Sequence, residues 1–417
     1  MKLERVFLMM LIEKLSLEQV EYKPFNEVCE YIRGITYNKS QEAKEENEKN
    51  WKVLRANNID LQRKVLDLRD VKEVDSSVKV KESQRLRKND ILICAGSGSK
   101  EHIGKVAFIR EDMDYTFGGF MAVIRVISEK INSRFLFHIL AGNLFSEFLA
   151  KKLNVSTINN LNSALIKNFQ IPLPPLPIQQ EIVRILDTFT NLTAELTAEL
   201  TARRKQYEYY RDELLTFDRD RNEVLWYPLG EICNVVSGGT PSKKTSSYWE
   251  NGTIKWLGST VCKNEKTVDE VTKYITLEGL NSSSAKLMPI GTTLIALVGA
   301  TIGKVAYLPF EAAINQNIAG ICPKDTKSVD SSYLYYACTR LYQEFLSLTQ
   351  GQKLAMANLS FVRSLKIPVP PIDEQKRIAE VLDKFNAICS DLRVGLPAEI
   401  TARQKQYEYY RDRLFIF

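Results

Sequence analysis

Two glycine-rich turns that end in lysine are the first residues with a chemistry to offer. CAGSGSKEHIGK, Cys94–Lys105, and VGATIGK, Val298–Lys304, set backbone amides beside a cation, a combination that can meet a phosphate. A nucleotide-binding P-loop needs a glycine, four residues, then Gly-Lys-Ser/Thr. Gly98 to Gly104 is one residue too long for that, Gly299 to Gly303 is one too short, and valine follows the lysine in both. An ATP site is therefore not expected. DNA backbone phosphates suit Lys100, Lys105 and Lys304 better, and the plain alternative is a pair of hairpins with solvated lysines.

Two further clusters could touch a nucleic acid. RGITYNKS, Arg33–Ser40, aligns with SGGTPSKK, Ser237–Lys244, so that Lys39 coincides with Lys243 and Lys244 follows. Arg55 joins these as a phosphate contact. INQNIAG, Ile314–Gly320, offers the amides of Asn315, Gln316 and Asn317. Such side chains read adenine edges bidentately, although in a turn they also cap backbone groups.

Other chemistries are missing. The only histidines, His102 and His138, both fall in the first half without copies in the second. The chain carries no His-Glu-x-x-His, nucleophile elbow, dinucleotide fingerprint, amino-methyltransferase tetrapeptide, nuclease carboxylate–lysine motif or helicase motif. Its seven cysteines form no C-x-x-C pair, so neither zinc nor a disulfide framework is indicated. Free, mostly buried thiols suit a reducing, cytoplasmic setting. The apolar run Val6–Ile12 is too short to span a membrane and reads as a packed helix.

The elements that position these residues occur twice. PFNEVC (Pro24–Cys29) answers to PLGEIC (Pro228–Cys233), DILICAG (Asp90–Gly96) to TLIALVG (Thr293–Gly299), and IGKVA recurs intact. RFLFHIL (Arg134–Leu140) pairs with YLYYACT (Tyr333–Thr339), and IPLPPLPIQQEI (Ile171–Ile182) with IPVPPIDEQKRI (Ile367–Ile378). TARRKQYEYYRD, Thr201–Asp212, returns as TARQKQYEYYRD, Thr401–Asp412, with eleven of twelve residues unchanged. Order is kept throughout, which is the signature of duplication.

Each half reads as short strands with glycine-rich turns, a terminal helix, a proline-rich exit and one long helix. The prolines at 172, 174, 175 and 177, and at 368, 370 and 371, mark an extended segment outside helix and central strand. A ligand for an SH3-like partner is the weaker reading of them. From Ile182 to Phe217 seam residues alternate spacings of four and three, a coiled-coil period. At 1.5 Å per residue, a helix over Gln179–Phe217 spans about 57 Å. The second copy gains four residues, with Gly395 and Pro397 at the insertion, so a kink or short break is expected there. The two helices are expected to pair antiparallel, a coiled-coil dimer of two chains being the alternative. Tyr207, Tyr210, Tyr407 and Tyr410 fall on the seam. Glu208, Tyr209, Arg211 and Glu408, Tyr409, Arg411 point elsewhere, and packing does not explain why both copies keep them. A docking surface used once by each of two identical partners would.

The expected architecture is α+β: two similar mixed α/β domains separated by two long antiparallel coiled-coil helices, an internal pseudo-two-fold repeat. The boundaries are an N-terminal helical segment 1–20, a first domain 21–170, a central helix 171–217, a linker 218–226, a second domain 227–366 and a C-terminal helix 367–417. The 417 residues, 44% hydrophobic and 26% charged, suit a globular chain of this size. A net charge of +6 permits a nucleic-acid partner without requiring one.

In its motifs the chain resembles the specificity subunit of type I restriction–modification systems. The resemblance covers nearly the whole chain. It rests on GGTPS with SYWENGTIKWLG (Ser247–Gly258), LIALVGATIGKVA, INQNIAG, the paired proline-to-helix segments, TAELTAEL (Thr193–Leu200) and the two KQYEYYRD ends. The first half departs in two places, since RGITYNKS lacks the second glycine and its glycine-rich turn is three residues longer. The resemblance implies two target recognition domains that read an asymmetric, bipartite site on double-stranded DNA. It also implies two helices that bind two methyltransferase subunits, with restriction/translocase subunits joining them and no membrane involved. The chain itself would be non-catalytic and bind no cofactor, while S-adenosylmethionine, ATP and Mg would sit on the partners. Two rivals remain: a coiled-coil scaffold that does not read DNA, and the recognition half of a fused methyltransferase–nuclease.

Overall fold

The computed structural model describes residues 20–43, 45, 47–61, 63–98, 102–153, 160–217, 224–268, 271, 273–348, 356–390 and 395–417. The helix expected over 1–20, save for residue 20, and Lys100 lie outside them. The chain forms two compact units, residues 1–195 with 401–417, and residues 196–400.

The first unit opens with β1 (Glu21–Pro24), β2 (Cys29–Arg33), β3 (Trp51–Leu54), β4 (Lys72–Val74) and β5 (Ile91–Cys94). β6 (Val106–Phe108), β7 (Tyr115–Phe117), β8 (Met121–Val126) and β9 (Gln170–Leu173) complete it. Four strands form an antiparallel sheet in the order β2-β8-β5-β6, and three form a second sheet β4-β3-β7 in which β3 and β7 run parallel. The four-stranded sheet is covered on both faces. Ile91, Ile93, Ala122 and Ile124 pack under α1 (Ser133–Leu140) and α2 (Asn143–Leu153), against Phe135 and Phe145. Leu92, Cys94, Met121 and Val123 pack on the other side with Leu54 and Phe117 of the second sheet. Each of the larger of these side chains (Ile, Leu, Val, Met and Phe) contributes about 1.5–3 kcal/mol of burial.

The second unit repeats the plan with β10 (Leu225–Pro228), β11 (Cys233–Ser237), β12 (Ile254–Leu257), β13 (Tyr274–Ile275) and β14 (Lys286–Met288). β15 (Thr293–Ala296), β16 (Val305–Tyr307), β17 (Ala312–Ile314), β18 (Ile318–Pro323) and β19 (Lys366–Val369) follow. Its sheets are β11-β18-β15-β16 and β13-β12-β17-β14, again with one parallel pair, β12 with β17.

The ladders correct two of the expected pairings between the halves by one residue. Ile91 faces Ile124, and Thr293 faces Ile321, so Ile91 rather than Asp90 answers to Thr293. These strands are buried on both faces, so no alternation of polar and apolar residues marks their register. Asn132 caps α1 through its side chain, as Asp330 caps the matching helix Ser331–Thr339. That shared cap sets Arg134 against Ser332 and His138 against Tyr336, again one residue from the expected match.

The proline segments are extended and lie outside any central strand, as expected, and each begins as one strand of a two-stranded ribbon. Pro172 lies in β9, opposite Tyr22 of β1, and Pro368 lies in β19, opposite Trp226 of β10. Two-stranded ribbons leave proline a free edge where its missing N–H is harmless. β10 begins at Leu225, inside the stretch expected to be a linker, of which residues 218–223 lie outside the described ones. The central helix α3 runs Leu176–Leu214, three residues ahead of the expected span at each end, with Pro177 in its first turn. The C-terminal copy is divided into α6 (Ile372–Ser390) and α7 (Leu396–Leu414), counting the helices Ser331–Thr339 and Tyr342–Ser347 as α4 and α5. The helix restarts just after Gly395, with Pro397 in its first turn, and residues 391–394 lie outside the described ones.

Within the first unit, Phe189 of α3 stacks on Tyr410 of α7 at 5.6 Å. Within the second, Tyr210 of α3 stacks on Phe385 of α6 at 5.4 Å. The seam tyrosines thus serve packing, as their spacing requires.

Candidate nucleic-acid interface

In the first unit the loops at the end of the two sheets enclose an open cleft of about 1040 Å³. Arg33, Arg55, Asn57, Gly96, Phe120 and Asn160 line it, bringing together the loop after β2, the residue after β3 and the glycine-rich turn. Close packing shapes this rim. A Cβ on Gly34 would lie 2.2 Å from the Gly118 carbonyl, and one on Gly119 would press on Thr36 at 3.0 Å. Arg33 acts as a strut, its guanidinium donating to the carbonyls of Gly119 (2.7 Å) and Leu161 (3.1 Å) and to Asn160 Oδ1 (3.0 Å). Arg55 donates to the exposed Asp70 carboxylate at 3.1 Å. Lys39 is exposed nearby in sequence but does not line the cleft.

The second unit builds the same corner with other residues. Gly238 matches Gly34, and a Cβ there would meet the Ile314 carbonyl at 1.8 Å. Gly239 faces Ser284 at 1.9 Å, which explains the doubled glycine of SGGTPSKK; the first unit holds Ile35 at that place. Lys243 and Lys244 are exposed, and Lys304 is half-buried. Gln316 is exposed and accepts a hydrogen bond from Thr240 Oγ1 at 2.8 Å. Asn317 is half-buried.

Three expected contacts are placed otherwise. Lys105 is buried, its ammonium donating to the Ile59 carbonyl at 3.0 Å, and burial lowers its pKa. It ties the turn to the loop after β3 and is only 7% exposed. Asn315 is buried too, its Oδ1 accepting from the Asn317 amide at 3.0 Å, the backbone-capping alternative. Arg411, expected on a docking surface, is 5% exposed and donates to the Ala141 carbonyl at 2.9 Å. Its copy Arg211 is half-buried beside Asp212. Glu208 and Glu408 are exposed, and so are Tyr209 and Tyr409, at 63% and 55%. Each of these two rings stands edge-on to its seam neighbour at an interplanar angle of 73°.

The glycine before each turn lysine has a structural task. Gly104 and Gly303 hold φ of 84° and 74°, and a Cβ on either would strike Leu149 or Phe345. This close approach accounts for the glycine of IGKVA in both halves.

Sequence reasoning missed two polar latches on the long helices. Gln179 is fully buried; its Oε1 accepts from the Asn132 amide, and its Nε2 donates to the carbonyls of Lys130 and Pro174. Gln375 does the same with Asp330, Ser328 and Pro370. The repeat marked these glutamines as equivalent, yet nothing local showed what they hold. One helical stretch later, Asp187 accepts from Arg134 and from His138 Nε2 at 3.0 Å. A carboxylate only accepts, so Nε2 carries the proton and Nδ1 takes the hydrogen bond of Tyr407 at 3.1 Å. Burial drives the His138 pKa down to about 4, against the pull of Asp187. Burial opposes the charge on Asp187, but hydrogen bonds from His138 and Arg134 prevail and hold it at about 2. In the second unit the matching Asp383 accepts from the Tyr336 hydroxyl at 2.5 Å, from Ser332 at 3.1 Å and from Lys266.

Among the described residues no group of His, Cys, Asp and Glu could hold a metal, and no helix is long and apolar enough to cross a membrane. The seven cysteines are free, and all but Cys322 are buried.

The family described as type I restriction modification DNA specificity domain matches twice, over residues 18–203 and 223–402. The chain belongs to this family. The two matches of the specificity domain fall on the two halves of the internal repeat. A relative, the EcoR124I/EcoR124II specificity subunit of Escherichia coli, is 44% identical over 261 residues, 60% of this chain. That alignment spans 63% of the relative's own length. A type I specificity subunit of Haemophilus influenzae is 33% identical over 345 residues, 76% of this chain and 84% of that one. The fold is shared with a chain from a type I R-M system solved for its complex assembly and conformational transition, at a TM-score of 0.59 and 20% identity, covering 95% and 97% of the two chains. It is also shared with the S subunit of a type I system from M. genitalium, at a TM-score of 0.56 and 14% identity over 96% and 98%.

Proposed function

We propose that this chain is the DNA-specificity subunit of a type I restriction–modification complex, reading an asymmetric, bipartite site on double-stranded DNA. The observation that carries the reading is a duplicated scaffold with unlike rims. Both units use the same order in their four-stranded β2-β8-β5-β6 and β11-β18-β15-β16 sheets, a side-chain cap at the same helix start and the same glutamine latch. Where one rim sets Arg33 and Phe120, the other sets Ser237 and Asn317. Two recognition surfaces of one design and different chemistry suit two different half-sites. Lys39, Lys243, Lys244, Lys304 and Arg55 supply phosphate contacts, and Gln316 and Asn317 reach base edges.

The subunit supplies sequence choice and leaves catalysis to others. Two methyltransferase subunits dock on the repeated Glu208–Tyr209 and Glu408–Tyr409 surfaces, and restriction/translocase subunits join that complex. S-adenosylmethionine, ATP and Mg belong to those partners, and the complex works in the cytoplasm. Co-expression with a cognate methyltransferase subunit, followed by sequencing that detects methyladenine, tests this. The expected product is one asymmetric split motif. Absence of any methylated motif, with the complex intact, would refute it.

A further inference from the structure

Each unit displays one large apolar side chain at the same structural corner, and the two come from opposite sides of it. The glycine-rich turn after β5 and the segment before the Asn162 cap meet at an isolated bridge, Gly96 with Asn160. The second unit has the equivalent bridge, Val298 with Met356, before the Asn358 cap. Backbone bonds fix the correspondence. The Ala95 amide donates to the Phe120 carbonyl, and Leu161 to Ala95; Leu297 likewise donates to Asn317, and Ala357 to Leu297. Phe120 therefore matches Asn317, and Asn160 matches Met356. Phe120 and Met356 are each 72% exposed, while the two asparagines are half-buried. One corner carries Phe and Asn, the other Asn and Met.

We infer that Phe120 and Met356 are apolar wedges, one per recognition unit, that enter a base step of the bound DNA. This rests on the DNA-specificity reading above. A lone exposed apolar residue needs no explanation by itself, but Phe120 is held for use. Its carbonyl accepts from both the Ala95 and Gly96 amides, at 2.8 and 2.9 Å, and its ring lies 3.0 Å from where a Gly96 Cβ would stand. Arg33 pins the glycine before it. The ring shares its cleft with two guanidiniums and two amides, Arg33, Arg55, Asn57 and Asn160. A rigid ring among cations and amides is how proteins unstack a base step while charges hold the backbone. Because the wedge swaps sides of the corner between units, it enters the two half-sites from different directions.

The test uses the full chain purified with the methyltransferase subunits it co-expresses with. Sites are selected from a random duplex library, then 2-aminopurine is placed at each step of the selected site. The wild type should show one step of raised fluorescence in each half-site. Phe120→Ala should abolish it in one half only and weaken binding about tenfold or more, with the salt dependence unchanged. Phe120→Trp should keep it, and Met356→Ala should remove the signal in the other half. A Phe120→Ala complex that selects the same bases and fluoresces like wild type overturns the wedge. If the wild type selects a sequence without any raised step, the wedge falls while the specificity reading stands; if it selects none, both fall.

Discussion

Beside the central strands, the first unit buries an ion pair where the second buries none. Asp90 is 1% exposed and receives two bonds from Arg125, at 2.8 and 2.7 Å. The matching residues of the second unit are Thr292 and Cys322, whose Oγ1 and Sγ lie 3.1 Å apart. The same substitution of means recurs on the long helix, where Asp187 meets an arginine and a histidine, and Asp383 a tyrosine, a serine and a lysine. Strand order survives all of this. Backbone ladders and two apolar layers define the fold, and the polar groups between them need only satisfy one another. Arg125→Ala should thus cost the first unit about 3–5 kcal/mol, because it strands the Asp90 carboxylate. Cys322→Ala should cost the second about 1 kcal/mol. Hydrogen exchange, read separately over the two units, would show equal losses if the comparison is wrong.

Acid should separate the units next. His138 stays neutral to about pH 4 in the fold, whereas the unfolded chain takes up the proton near pH 6.5. The unfolded state therefore binds more protons in that window, and stability falls as pH drops from 6.5 to 4, by about 3 kcal/mol in all. Tyr336 holds that place in the second unit and does not titrate there. His138→Tyr should flatten the acid limb of the first unit; an unaltered slope in denaturant melts across that range would show that His138 does not cause it.

The glutamine latches sharpen the likeness instead. Gln179→Ala and Gln375→Ala should each cost about 2–3 kcal/mol, since each abandons a buried amide N–H and two carbonyls. Markedly unequal losses of denaturation midpoint would mean the two latches are not equivalent. Smallest is the arginine pair inside KQYEYYRD. Arg411→Ala should cost about 2 kcal/mol through the buried Ala141 carbonyl, and Arg211→Ala under about 0.5 kcal/mol as a partly exposed pair. Thermal melts of the two variants should differ in that order.

Much of this was legible in the residues. Duplication, the helix restart at Gly395 and Pro397, and the packing of Tyr207 and Tyr210 all follow from pattern and spacing. The register of β5 and β15 did not, because a strand buried on both faces has no polar beat to count. Lys105 and Lys304 read alike, yet one bonds to the Ile59 carbonyl from a distant loop. Arg211 and Arg411 sit in nearly identical sentences of sequence. What separates them is Gly142, where a Cβ would stand 3.1 Å from Arg411 Nε, against Arg340 in the matching place, whose guanidinium donates to the Asp212 carbonyl. A motif states which residues are present, and its neighbours decide what they do.

Residues 401–417 complete the first unit, where Tyr410, Leu414 and Phe415 are buried with Phe135, Ile182 and Leu186. The ribosome makes them only after the whole of the second unit has been synthesised. Until then the first unit carries an uncovered greasy stripe, so a nascent or prematurely stopped chain is a natural client for chaperones and proteases. The layout makes synthesis of the second unit a precondition for finishing the first.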